Sequence, residues 1–314
     1  MAVKERELSG QDLKKALEAA QICLKKHIEE VNTLNVFPVP DGDTGINMYL
    51  TMKSAVKAMD KSEDASVAAV SAAAARGALL GARGNSGVIL SQIMRGIAKA
   101  MDGKKTFSFY DFASALHIAS EQAYRVVANP VEGTMLTVIR EVSETASKVA
   151  KRHASFTRAI GSVVSQAKRT VKRTPDMLPV LKEAGVVDAG AKGLYYFFKG
   201  MESAICRKHI EADTEKAPSE APAIKEKNRV YGFDVQFMIQ GENLPLEEIR
   251  NKVATSGEYP LAVGDESLIR VHVHTQNPDD ILNYARSKGT LQDIIIEDMD
   301  QQVQEKIEKE SKRK

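Results

Sequence analysis

From Ser9 to Arg207 the apolar positions recur every three or four residues, which is the pattern of helices that bury one face. Leu13, Ala16, Leu17, Ala20, Leu24, Ile28 and Val31 mark the first such face, and Ser9 with Asp12 ahead of them is a capping-box pair, so one long opening helix is expected. Met48, Met52, Ala55 and Met59 mark a second face over about Asn47 to Met59. After an acidic break at Ser62 to Asp64 comes an alanine-rich helix ending near Leu80, whose small side chains allow neighbours to approach closely. Val88, Ile89, Ile93 and Ile97 begin another helix, and the spacing predicts more over about 110–127, 134–152, 157–171, 176–184 and 190–207. That makes eight or nine helices and no strand in residues 1–207.

Between Lys208 and Asn228 charges, alanine and two prolines replace the apolar pattern, as in a flexible linker. Beyond it the period becomes two: Tyr231, Phe233, Val235, Phe237 and Ile239 alternate with Gly232, Asp234, Gln236 and Met238, as in a half-buried strand. A helix over 245–255, strands over 259–263 and 268–275, a helix over 279–288 and a strand over 291–296 complete the order strand, helix, strand, strand, helix, strand. Residues 229–300 are therefore expected to form a small α+β domain of ferredoxin-like type with helices on one face, and 301–314 a solvated charged helix or tail.

Composition narrows the function classes. With 43% hydrophobic and 27% charged residues the 314-residue chain can bury a substantial core, and a net charge of +2 gives no general attraction to nucleic acid or anionic membrane. Cys23 and Cys206 lie far apart in helical patterns, as reduced core residues do. The N-terminus has no apolar leader and no run is long enough to span a bilayer, so a cytoplasmic protein is expected.

The candidate chemistry centres on Asn35-Val36-Phe37-Pro38-Val39-Pro40-Asp41-Gly42-Asp43-Thr44-Gly45. Two prolines stiffen the approach, two glycines permit sharp bends, and Asp41 and Asp43 are presented on short stems as hard oxygen ligands of the kind Mg²⁺ takes. The same residues would also serve as a turn followed by an aspartate cap. Three further polar, glycine-bearing segments enter helices: Gly81 to Gly87, Asn129 to Leu136 and Gly185 to Gly193. If these helices began at one common end of a bundle, their N-termini would surround an anion such as phosphate. A second constellation lies in the strands, where Arg270, His272 and His274 share one face and Asp234 and Gln236 share the matching face of the first strand. Antiparallel pairing of these strands would bring Asp234, His272 and His274 together on the open face of the sheet, as a metal site, an anion patch or simply a polar face.

The runs Leu34 to Met48, Gly84 to Gln92, Val131 to Leu136 and Val271 to Thr275 closely resemble the catalytic subunits of bacterial fatty acid kinases, of the DhaL/DAK2-type family. The resemblance extends from Gln11 to about Met299. It implies an all-α, eight-helix DhaL-like barrel that binds ATP with Mg²⁺ at one end. It also implies a middle domain bearing the two histidines, and γ-phosphate transfer to a fatty acid held by a separate DegV-like protein, giving an acyl phosphate. On this basis Asp41 and Asp43 match metal-binding positions, and Asn35 stands where the dihydroxyacetone kinase branch has a third metal-binding aspartate. Thr44, Asn47, Gly84, Asn85, Ser86, Gly133 and Thr134 match nucleotide- and phosphate-contacting positions, and Asp188 and Gly190 match the loop that closes the nucleotide pocket. His272 and His274 match the catalytic pair; the family's cysteine beside them, part of a Zn²⁺ site, is here Asp234. The family's third domain would begin where this sequence stops. A small hydroxyl acceptor, as in the dihydroxyacetone branch, and a non-catalytic nucleotide-binding module are the alternatives, and a homodimer stays open.

Overall fold

The computed structural model describes residues 7–61, 64–152, 155–207 and 230–311, with side chains to residue 308. The expected linker at 208–228 lies outside the described residues. Ahead of it come α1 (Gly10–Lys26), α2 (Ile28–Thr33), α3 (Thr44–Met59), α4 (Val67–Leu80), α5 (Gly84–Met101), α6 (Phe109–Val126), α7 (Met135–Ala150), α8 (Phe156–Met177), α9 (Pro179–Ala184) and α10 (Ala189–Ile205). In the order α1, α3, α4, α5, α6, α7, α8, α10 each helix packs on the next, and α10 returns to α1. The core between them holds Met48, Met52, Ala74, Phe112, Ile139, Ile160 and Phe197, and α10 is buried along most of its length.

Four local features differ from the sequence pattern, each for a visible reason. The single opening helix is two, because His27 turns its Nδ1 to the Cys23 carbonyl at 2.8 Å and stacks its ring on Tyr196 at 3.7 Å. One helix, α8, runs through Pro175, where a break was expected; the Val171 carbonyl that the proline leaves without its donor accepts from Thr174 Oγ1 at 2.8 Å. A small ladder pairs β1 (Leu8–Ser9) with β2 (Thr106–Phe107), too short for alternation to reveal. Finally, α5 begins at Gly84, so the glycine loop is largely its first turn.

The second body contains β3 (Phe233–Gln240), α11 (Leu246–Ala254), β4 (Glu258–Gly264), β5 (Leu268–Thr275), α12 (Pro278–Arg286) and β6 (Thr290–Asp298). Its strands lie in the order β4-β5-β3-β6, all antiparallel. Val235, Phe237, Ile239, Ile269, Val271 and Val273 pack with Ile249 and Val253 of α11 and Ile281 and Leu282 of α12, so both helices cover the same face. The closing residues are not simply a solvated tail. They form α13 (Met299–Ser311), whose Met299 and Val303, four apart, bury against Val39 of the acidic loop.

The sheet's other face was expected to be open, yet Asp234, Gln236, Arg270, His272 and His274 are all buried. The helical body covers them: Leu261 and Val263 pack with Ala82, Val88 and Val126, and Arg95 Nη1 donates to the Gly264 carbonyl at 2.8 Å. No described helix is long and apolar enough to cross a membrane.

Candidate active site

The acidic loop is held by the side chain of Asn35. Its Nδ2 donates to the Val39 carbonyl at 3.0 Å, while its Oδ1 accepts from Gly42 N at 3.0 Å and Asp43 N at 3.2 Å. Both lone pairs of that oxygen are spent on the backbone, so Asn35 shapes the loop and is not a metal ligand, contrary to the sequence expectation. Gly42 has φ +79°, and a Cβ there would lie 3.1 Å from Lys306 Cδ. Lys306 of α13 thus lies across the loop, and its Nζ donates to the Asn35 carbonyl at 2.8 Å. Asn32 braces the other side, its Oδ1 accepting from Gly45 N at 2.7 Å and Ile46 N at 3.3 Å.

Asp43 occupies the N-cap position of α3 but makes no capping bond; its Oδ2 accepts from Asn47 Nδ2 at 2.7 Å instead. Asp41 Oδ1 is buried without a hydrogen-bond partner. Burial, reinforced by Asp43 and by Asp234, pushes the Asp41 carboxyl well above the usual range, and burial likewise raises Asp43. A plain turn and cap would leave none of this: two half-buried acids, one with a bare buried oxygen, fit a bound cation.

The four helix mouths do face one cavity, of about 570 Å³, lined among others by Thr44 and Asn47 of α3, Gly84, Asn85 and Ser86 of α5, Thr134 before α7, and Asp188 and Gly190 at α10. They are not equivalent. Thr134 caps α7 through Leu136 N at 3.3 Å, and Asp188 caps α10 through Ala191 N at 2.7 Å. At α3 Asn32 takes the first donors, and at α5 Gly84 N donates to Gln236 Oε1 at 3.1 Å. The N–H groups of Asn85 and Ser86, at the uncapped start of α5, are left for an anion. Burial pushes Asp188 up to about 7, against backbone donors from Ala191 and Met135.

Gly133 alone among the expected nucleotide residues is set back from this cavity. With φ +83° and a hypothetical Cβ 3.0 Å from Leu178, Met177 and the Thr174 carbonyl, it lets its loop lie against the end of α8.

The cavity's other wall is the sheet. Register pairs Asp234 with His274 and Gln236 with His272, and the ligand atoms of Asp234, His272 and His274 all lie within 4.8 Å of one another. His272 Nδ1 is 3.0 Å from Asp234 Oδ1. Both atoms lack a hydrogen-bond partner of good geometry, which suits two ligands turned toward a shared cation. Burial works against the Asp234 charge, but His272, His274 and Gln236 outweigh it and hold the carboxyl below its usual range. The sheet cluster and the acidic loop thus share one cavity, though they come from different bodies.

Two residues to which pattern reading gave no role in the site sit between the two. Gln236 Nε2 donates to Asp234 Oδ2 at 2.7 Å, joining the sheet cluster to Gly84. Tyr259 has φ +50°, uncommon for a bulky side chain, and its ring meets His274 edge-on at 5.4 Å and Phe37 at 6.2 Å. The sequence signals for these were a polar position on a strand and an aromatic beside a proline.

Among known proteins, the chain is 35% identical to protein YloV of Bacillus subtilis over 98% of this chain and 58% of that one. It is also 35% identical to an uncharacterised protein of Staphylococcus saprophyticus over 91% of this chain and 54% of that one. It therefore spans a little over half the length of these relatives. Among solved structures, the dihydroxyacetone kinase from C. freundii in complex with AMP-PNP and Mg²⁺ gives a TM-score of 0.48 at 16% identity, covering 65% of this chain and 35% of that one. Residues 230–306 match the FakA-like middle domain of fatty acid kinases. The DAK2 domain matches residues 38–203, more than half of the chain, and the protein belongs to that family.

Proposed function

We propose that this protein is a cytoplasmic, Mg²⁺-dependent kinase that transfers the γ-phosphoryl group of ATP to a fatty acid carboxylate presented by a DegV-like binding protein. The observation that carries the reading is the convergence of Asp41, Asp43 and the unfilled α5 mouth on the cavity that also holds His272 and His274. The DAK2 and fatty-acid-kinase-like middle domain matches support it. The closed sequence of eight helices supports a DhaL-type barrel, and the strand order supports a ferredoxin-like middle domain.

Asp41 and Asp43 would hold Mg²⁺, which when bound neutralises phosphate charge. The chain's own part is positional. Asn85 and Ser86 N–H groups bind phosphate oxygens at the positive end of α5, and Val127, Val131, Met135, Leu136 and Ile89 offer apolar surface for the base. A carboxylate acceptor needs no strong base near neutral pH. His274 orients it, with the rim of Phe37, Pro38, Tyr259 and Pro260 beside it giving an apolar approach.

The test is to incubate the protein with Mg²⁺, ATP and fatty acid, with and without a DegV-like protein, and trap acyl phosphate with hydroxylamine. Partner-dependent hydroxamate is the expected result. Phosphorylation of a small hydroxyl compound in its place would overturn the carboxylate acceptor, and nucleotide binding without turnover would overturn the enzyme.

A further inference from the structure

Gln236 is 2% exposed, and both ends of its amide are engaged, one of them across the boundary between the two bodies. Its Oε1 accepts from Gly84 N at 3.1 Å, 152 residues away, and from Arg270 Nη2 at 3.4 Å; its Nε2 donates to Asp234 Oδ2 at 2.7 Å. Gly84 is itself a node. It has φ +57°, and a Cβ there would lie 2.5 Å from Asn47 Nδ2, the group that holds Asp43 at 2.7 Å. Hydrogen bonds therefore run from Gly84 through Gln236 to Asp234, and Gly84 itself lies against the Asn47 side chain that holds Asp43.

We infer that Gln236 is a positioning residue that registers the α5 mouth against the Asp234–His272 pair, so that donors from one body and ligand groups from the other meet a single substrate. Only a primary amide of this length does so. It must accept from a backbone N–H and a guanidinium while donating to a carboxylate. Glutamate would face Asp234 with a second anion and lose the donor; leucine would leave Gly84 N, Arg270 and Asp234 Oδ2 short of partners in a buried place. The Asn85 and Ser86 donors and the acidic loop stay in either variant. Nucleotide affinity is thus expected to survive while the alignment of phosphate and acceptor does not.

The kinetic part of this assignment rests on the phosphoryl-transfer reading above; the structural part does not. Q236E and Q236L are compared with the parent in two measurements on the full chain. In the first, kcat with Mg·ATP and acceptor is expected to fall about tenfold or more while KM for ATP stays within about threefold. In the second, hydrogen exchange read by mass spectrometry is expected to quicken about tenfold in the peptides over Gly84–Val88 and Phe233–Phe237, with α1 and α10 unchanged. If the parent transfers phosphate to no acceptor, the kinase reading fails by itself and the exchange result alone decides. Parental kcat and exchange in both variants would overturn the assignment. So would uniformly faster exchange or loss of folding in both, which would make Gln236 a packing residue.

Discussion

Asp41 and Asp234 line the same cavity, Asp41 half-buried and Asp234 buried, yet their carboxyls are displaced in opposite directions. Burial opposes the charge of each. Around Asp41 the neighbours are Asp43 and Asp234, with Lys306 as the opposing cation, so burial and repulsion add and the carboxyl rises. Around Asp234 the neighbours are His272, His274 and the Gln236 amide, which more than offset burial, and the carboxyl falls. The protein thus builds a charge-frustrated pole on the helices and a charge-balanced pole on the sheet. A cation would relieve the first and merely be accommodated by the second. Energetically this is the expected contrast between an uncompensated and a compensated buried charge.

Neutralising each pole in turn tests that contrast most strongly. In chelator at pH 8, Asp41→Asn is expected to stabilise the protein by about 1–3 kcal/mol, and Asp234→Asn to destabilise it by a similar amount, read by urea unfolding. Shifts of the same sign would break the comparison. Asp188 sharpens it: burial outweighs its backbone donors, and its carboxyl is raised to about 7. A raised carboxyl favours folding below its unfolded value near 4 and loses that contribution as pH rises through about 7. Asp188→Asn keeps the cap acceptor and removes the charge, so its stability relative to the parent should grow by about 1–3 kcal/mol from pH 4 to pH 8. A pH-independent difference, measured by melting at each pH, would mean that Asp188 is not held back from ionising. The smallest effect is expected of Lys306→Ala. Losing the ammonium near Asp41 should lower metal-free stability at pH 8 by about 0.5–1 kcal/mol, with most of that loss restored by saturating Mg²⁺. A loss untouched by Mg²⁺ would place Lys306 in packing alone.

Much of this was legible in the chain, because local backbone rules act over short distances. Two prolines and two glycines announced a loop built to present Asp41 and Asp43, and the four polar helix entries announced mouths that do share one cavity. Period-two alternation put Asp234, His272 and His274 on one face of paired strands, where they do come together. What pattern could not say is what covers a face. The polar side of the sheet read as open because alternation sorts residues by side, and the covering residues Ala82, Val88 and Val126 belong to another body. The Asn35 misreading has the same origin: an amide suits a metal or a backbone, and the choice depended on Gly42 and Asp43 folding back onto it. The link from Gln236 to Gly84, and the seating of α13 on the acidic loop, are long-range consequences of docking with no local trace.

The central claim is that the helical pole is a cation site serving a polyphosphate, and calorimetric titration with AMP-PNP tests it directly. The account predicts measurable binding in Mg²⁺, at least about a hundredfold weaker in chelator, and the same collapse in Mg²⁺ for Asp43→Ala with the fold intact by circular dichroism. Equal affinity with and without Mg²⁺, or parental affinity in Asp43→Ala, would contradict it.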